Sequence, residues 1–131
     1  TLWISCKDNM RKLLVVDDEH DICDFVENFF RERGFHVFTA LNGEEAISIV
    51  RKEKPDIILL DIKMQGMDGI AALKHIKEID RNSKVIMVTA LEDQDKMNEA
   101  YRLGACDYIT KPLVLDYLEQ AVEKNLKMVS L

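Results

Sequence analysis

A chain of 131 residues, 47% hydrophobic, 32% charged and with a formal net charge of −6, has room for one domain with a substantial core but not for a second. The hydrophobic share excludes a disordered chain, and 18 Lys and Arg against 24 Asp and Glu argue against a nonspecific grip on nucleic acid or an anionic membrane. No apolar run approaches the roughly 20 residues of a membrane span.

The chain opens Thr1-Leu2-Trp3-Ile4, and Met10 precedes Arg11-Lys12 and a strong apolar run. Met10 therefore reads as the natural start, residues 1–9 as an N-terminal extension or an upstream remnant, and 10–131 as the domain. The extension has no basic segment and too short an apolar stretch for a signal peptide. Cys6, Cys23 and Cys106 are odd in number and form no C-x-x-C pair, which favours reduced thiols in a cytoplasmic protein over a disulfide framework or zinc site.

Five short apolar runs then alternate with helical patterns. The runs are Leu13–Val16, His36–Ala40, Ile57–Leu60, Val85–Val88 and Tyr108-Ile109. Three are continuously aliphatic, as parallel strands covered on both faces require. Ile22, Phe25, Val26, Phe29 and Phe30 recur at helical spacing and predict one apolar stripe. Asn42 and Glu45 resemble a capping box leading Ala46, Ile47 and Val50 inward. Leu73, Ile76 and Ile79 continue the helical pattern. Leu115, Leu118, Val122 and Leu126 form the last helix, and Gly34, Gly69, Gly104, Pro55 and Pro112 fall near the breaks. Residues 93–103 are a weaker helix, because only Met97, Ala100, Tyr101 and Leu103 can pack. It reads either as a locally unstable element or as a solvated surface helix.

This repetition predicts an α/β fold, a (βα)5 doubly wound five-stranded parallel sheet of the flavodoxin-like kind. Such sheets place their sites beyond the carboxyl ends of the strands. There the first strand runs into Asp17-Asp18-Glu19, the third into Asp61, the fourth into Thr89-Ala90 and the fifth into Thr110-Lys111-Pro112. Several carboxylates meeting at one edge repel one another unless a cation joins them. A few carboxylates with a backbone carbonyl and waters suit Mg²⁺ better than Ca²⁺. Asp61 is then a candidate nucleophile for phosphoryl transfer through an acyl phosphate, with Lys111 and the Thr89 hydroxyl within reach of phosphoryl oxygens. Taken singly, each residue has a plainer account, since an Asp at a strand end is commonly a cap or turn residue.

Leu14–Glu19, Leu59–Met64, Gly66-Met67-Asp68-Gly69, Val88-Thr89-Ala90 and Asp107–Pro112 together resemble the receiver domain of two-component response regulators, over roughly residues 10–128. The resemblance implies transfer of a phosphoryl group to Asp61 from the phosphohistidine of a sensor histidine kinase or histidine phosphotransfer protein. It implies that Asp17, Asp18, Asp61 and the Lys63 backbone carbonyl bind Mg²⁺. It also implies that Thr89 and Lys111 hold the phosphoryl group, and that Ala90 leaves room for it. It implies further that Tyr108 turns inward when Thr89 moves, so that the face built from 93–128 would signal to an output domain, a protein partner or a phosphorylation-dependent dimer. The domain would be a signalling phosphoacceptor and an enzyme only toward itself. Lys63 and Leu91 flank the phosphoryl position and are expected to influence the phosphate's lifetime.

Rival functions fit less well. A flavin or dinucleotide site needs a Gly-rich phosphate loop after the first strand, where this chain has Asp17-Asp18-Glu19. A haloacid-dehalogenase-like phosphatase wants an Asp at position 63, which is Lys. A receiver-like module that is never phosphorylated has no need of Asp17, Asp18, Asp61, Thr89 and Lys111 together.

Overall fold

The computed structural model describes residues 11–90 and 94–127. The expectations for residues 1–9, Met10, Cys6, Leu91 and the start of the weak helix at Asp93 lie outside the described residues.

Strands β1 (Lys12–Val16), β2 (His36–Ala40), β3 (Ile57–Asp61), β4 (Lys84–Thr89) and β5 (Asp107–Thr110) alternate with five helices. These are α1 (His20–Glu32), α2 (Gly43–Glu53), α3 (Gly69–Ile79), α4 (Gln94–Arg102) and α5 (Leu115–Lys127). All strand pairs are parallel, in the order β2-β1-β3-β4-β5. The order reverses between β1 and β3, and that is where Asp17, Asp18 and Asp61 stand.

Side-chain alternation along the strands sorts the core into two layers. Leu14, Val16, Ile58, Leu60 and Met87 pack with Ala46, Val50, Leu73 and Ile76, beneath α2, α3 and α4. Leu13, Val15, Ile57, Leu59 and Ile86 pack with Val26, Phe30, Leu118 and Val122, beneath α1 and α5. All five residues of the central strand β3 are buried, which accounts for its unbroken aliphatic run.

Three local features differ from the sequence reading. On α1 the buried residues are Cys23, Val26 and Phe30, whereas Phe25 is 54% exposed. At 3.6 residues per turn Phe25 lies roughly 130° from the centre of that arc, so Cys23 takes the place the pattern gave to Phe25. At α2 the Asn42 side chain accepts from the Glu45 N–H at 2.9 Å, but Glu45 Oε1 accepts from the Leu41 N–H, not that of Asn42. The box is closed one residue earlier than in its standard form. On α5 the buried stripe includes a polar residue, Asn125, whose Nδ2 donates to Asp107 Oδ2 at 2.9 Å and to the Ala121 carbonyl at 2.8 Å. The weak helix buries Ala100 alone, with Tyr101 47% exposed. Cys23 and Cys106 are free thiols, and among the described residues no helix is long and apolar enough to cross a membrane.

Candidate functional site

Backbone pairing brings the strand ends level. The Asp17 N–H donates to the Ala40 carbonyl at 3.1 Å, prolonging the β1–β2 ladder by one step. Asp61 is the last residue of β3 and pairs with Val88, while Thr89 pairs with Thr110. The Lys111 N–H then donates to the Thr89 carbonyl at 2.8 Å, and the Lys111–Pro112 peptide is cis.

The two buried carboxylates are held in the same way. Asp17 Oδ1 accepts from the Glu19 N–H at 2.9 Å, and Asp61 Oδ1 accepts from the Lys63 N–H at 3.3 Å. Their other oxygens share one ammonium, Lys111 Nζ, at 2.7 Å from Asp17 Oδ2 and 3.2 Å from Asp61 Oδ2. Asp18 is exposed, yet carboxylate oxygens of Asp17, Asp18 and Asp61 all lie within 4.8 Å of one another. The lysine is thus the internal counter-ion of the acidic cluster.

Its charge does not fully offset the site. Burial pushes the Asp61 carboxyl above its ordinary pKa; Lys111 pulls it down and Asp17 pushes it up again. Burial alone would lower the Lys111 ammonium, but the hydrogen bonds and charges of Asp17 and Asp61 outweigh it and raise it. Beneath the site the Cys23 thiol, pushed up to about 11 by burial and then by Asp17, stays protonated and donates to the Asp17 carbonyl at 3.3 Å.

The sign of the Asp61 shift gives a prediction. A folded state that holds the proton more tightly than the unfolded chain loses stability as pH rises from 3.8 through the folded pKa, and the deficit persists above it. In metal-free buffer at neutral pH, Asp61→Asn should therefore have a higher urea midpoint than the parent. The gap should close as pH falls below 3.8. An equal or lower neutral-pH midpoint would show that Lys111 outweighs burial.

Of the other expected site residues, Thr89 is completely buried at the end of β4, Ala90 is exposed beyond it, and Lys63 is exposed after Asp61. Tyr108 is half-buried on β5 and packs against the layer beneath α2, α3 and α4. The structure brings Asp17, Asp18, Asp61 and Lys111 into one cluster. Two supporting residues went unread in the sequence. Cys23 looked like an ordinary thiol. Gly69 looked like a break, but its N–H donates to the Ile62 carbonyl at 2.7 Å, and a Cβ there would lie 2.1 Å from the Asp61 carbonyl oxygen. A glycine at the first helical position, directly after the cap Asp68, was the available signal of close backbone approach.

A family model described as the response regulator receiver domain matches residues 13–123. The chain belongs to the response regulator receiver family. Sporulation initiation phosphotransferase F of Bacillus subtilis is 43% identical to this receiver over 119 residues, covering 91% of this chain and 96% of the relative. Chemotaxis protein CheY of the same organism is 36% identical, with 88% and 97% covered. The receiver spans only 26% of the regulatory protein AtoC of Escherichia coli, at 36% identity. Among solved structures, a CheY-like receiver domain from Methanospirillum hungatei superposes with a TM-score of 0.89 at 26% identity, covering 92% of this chain and 96% of that one. CheY of Borrelia burgdorferi, in a complex with CheX, BeF3 and Mg²⁺, gives 0.83 at 35% identity, with 87% of each chain covered.

The donor set fits a hard divalent cation. Three carboxylates offer oxygen ligands on a partly open edge, fewer than a calcium cage uses and suited to an ion that keeps several waters.

Proposed function

We propose that Asp61 is the phosphoacceptor of this receiver, taking a phosphoryl group from the phosphohistidine of a sensor histidine kinase or histidine phosphotransfer protein. The observation that carries the reading is the single ammonium of Lys111 shared by the Asp17 and Asp61 carboxylates, with Asp18 beside them. Mg²⁺ would be held by Asp17, Asp18, Asp61 and the Lys63 carbonyl, and when bound it supplies positive charge that neutralises phosphoryl oxygens.

An Asp61 carboxylate oxygen attacks phosphorus and forms an acyl phosphate. The phosphorus–nitrogen bond breaks, and its electron pair returns to the donor imidazole. Lys111 turns from the carboxylates to the phosphoryl oxygens, and the Thr89 hydroxyl moves toward them. Tyr108 then occupies the space Thr89 leaves. Because α4 is anchored by so little apolar surface, the face formed by α4, β5 and α5 is the part that yields. Phosphorylation biases a pre-existing equilibrium between two arrangements of this face, which engages an output domain, a protein partner or a second copy. The receiver acts enzymatically only on its own phosphorylation and dephosphorylation, in the cytoplasm, and Lys63 borders the path of the hydrolytic water.

Incubation with Mg²⁺ and a small-molecule phosphodonor should add one phosphate by intact mass. The adduct should vanish in Asp61→Ala and in excess chelator. An adduct that survives Asp61→Ala would place the acceptor elsewhere.

A further inference from the structure

At the end of the sheet opposite Asp61, the chain departs from its acidic average. The close of α3, the loop over 80–83, the start of β4 and the close of α4 border two adjoining cavities, open to solvent, of about 540 and 490 Å³. Lys77 and Arg81 line both; Lys74 and Arg102 belong to the first and Lys84 to the second. Five cations thus face one carboxylate, Glu78, which lies 3.6 Å from His75. Among the described residues none of the five makes an ion pair. The nearby Asp80 uses Oδ1 to accept from the Asn82 N–H at 3.1 Å.

Lys77 is held in position. A Cβ on Gly104 would lie 2.7 Å from Lys77 Cε, so the missing side chain is what lets the lysine stem cross there. Its Nζ donates to the Ser83 carbonyl at 2.7 Å and the Arg81 carbonyl at 3.0 Å. Both partners are neutral, which fixes the ammonium without cancelling its charge. Burial lowers its pKa and the charge of Lys84 adds to that effect, outweighing the Cys106 sulfur and the Asp80 carboxylate, which act the other way; a bound anion would relieve both burial and the Lys84 repulsion.

We propose that these two cavities form one binding site for a small anion carrying several phosphoryl groups, an oligophosphate laid across Lys77 and Arg81. Arginine forks and fixed ammonium groups are the usual partners of phosphoryl oxygens. Two adjoining cavities that share their central cations suit a chain of phosphates better than a single one. Among the described residues no aromatic side chain lines either cavity, which offers no platform for stacking nucleic-acid bases. Among the described residues Leu103 and Cys106 are the only apolar side chains in the lining, too few to anchor a protein partner. An occupant bridging the 80–83 loop and Arg102 would also tether the carboxyl end of α4, the least anchored helix. The site is separate from the phosphoacceptor site and does not depend on that reading.

Calorimetric titration with tripolyphosphate, in chelator to keep metal from bridging it to the acidic cluster, tests the proposal. Saturable binding is expected. It should weaken at least tenfold in Arg81→Glu/Arg102→Glu and in Lys74→Glu/Arg102→Glu, all exposed positions, and remain unchanged in Asp61→Asn. Orthophosphate and a hexaglutamate peptide should both bind at least tenfold more weakly. Absence of binding, indifference to both double variants, or loss in Asp61→Asn would overturn the proposal, as would a peptide affinity equal to that of tripolyphosphate.

Discussion

Gly69→Ala is expected to cost at least about 3 kcal/mol of stability, the upper end of what overpacking usually costs. Two effects oppose each other. Alanine in a helix is favoured over glycine by about 1 kcal/mol, which alone would stabilise α3. Against it, the new Cβ would lie 2.1 Å from the Asp61 carbonyl oxygen, 2.6 Å from Ile62 Cα and 2.8 Å from the Asp61 carbonyl carbon. All three are backbone atoms of a fully buried strand end, so no side chain can swing aside. Relief requires moving α3 away, which breaks the 2.7 Å bond from the Gly69 N–H to the Ile62 carbonyl, or moving Asp61 itself. The clash outweighs the propensity. Gly43→Ala is the control: the three atoms nearest its Cβ would all belong to the Met67 side chain, at 2.9–3.1 Å, and a methionine can repack. Urea denaturation of the two variants should show a large loss at 69 and less than about 1 kcal/mol at 43. Comparable losses would mean that α3 is free to slide over β3. Because the displaced atoms belong to Asp61, Mg²⁺-dependent phosphorylation should fall in Gly69→Ala even under conditions where it remains folded.

What the sequence could and could not disclose follows from the range of each interaction. The strands were legible because burial on both faces leaves an unbroken aliphatic run, as in Ile57–Leu60, and periodicity needs no knowledge of partners. The strand-end carboxylates were legible for a related reason, since a parallel sheet puts all carboxyl ends on one edge. Phe25 was misplaced because a spacing rule marks a stripe without fixing its centre; the centre is set by which side of α1 meets β1 and β2, and Cys23 is small enough to lie there. The Glu45 contact with Leu41 rather than Asn42 depends on the backbone angle entering α2. The partner of Lys111 was hidden in another way. The resemblance assigned it to a phosphoryl group, whereas the unphosphorylated protein gives it to Asp17 and Asp61 across sequence separations of 94 and 50 residues. Gly69 was hidden because a close approach between two backbones leaves only a missing side chain as its trace.

The shared ammonium leads to the second large effect. Lys111→Met should destabilise the metal-free protein and tighten its hold on Mg²⁺. The side chains of Asp17 and Asp61 are only 3% and 6% exposed, and each would lose a charge-assisted hydrogen bond with no water to replace it fully. Removing one partner from such a pair costs about 1–3 kcal/mol. The same ammonium repels any cation approaching those carboxylates. Without it a divalent ion meets three acids and no competitor, and a gain of roughly 1.4 kcal/mol, or tenfold in affinity, is a conservative expectation. Saturating Mg²⁺ should therefore raise the melting temperature of the variant more than that of the parent, since ligand linkage follows affinity. Alkaline pH supplies an independent check. The Lys111 pKa is raised above 10.5 in the folded protein, so its stabilising contribution is complete below that value and disappears as pH rises through the folded pKa. The difference in stability between parent and variant should be constant on the neutral side and shrink only in strong alkali. A variant with unchanged Mg²⁺ affinity would mean that Lys111 swings away before the metal arrives. The geometry, with Nζ at 2.7 Å from Asp17 Oδ2, makes it a direct competitor for the carboxylates of the acidic cluster.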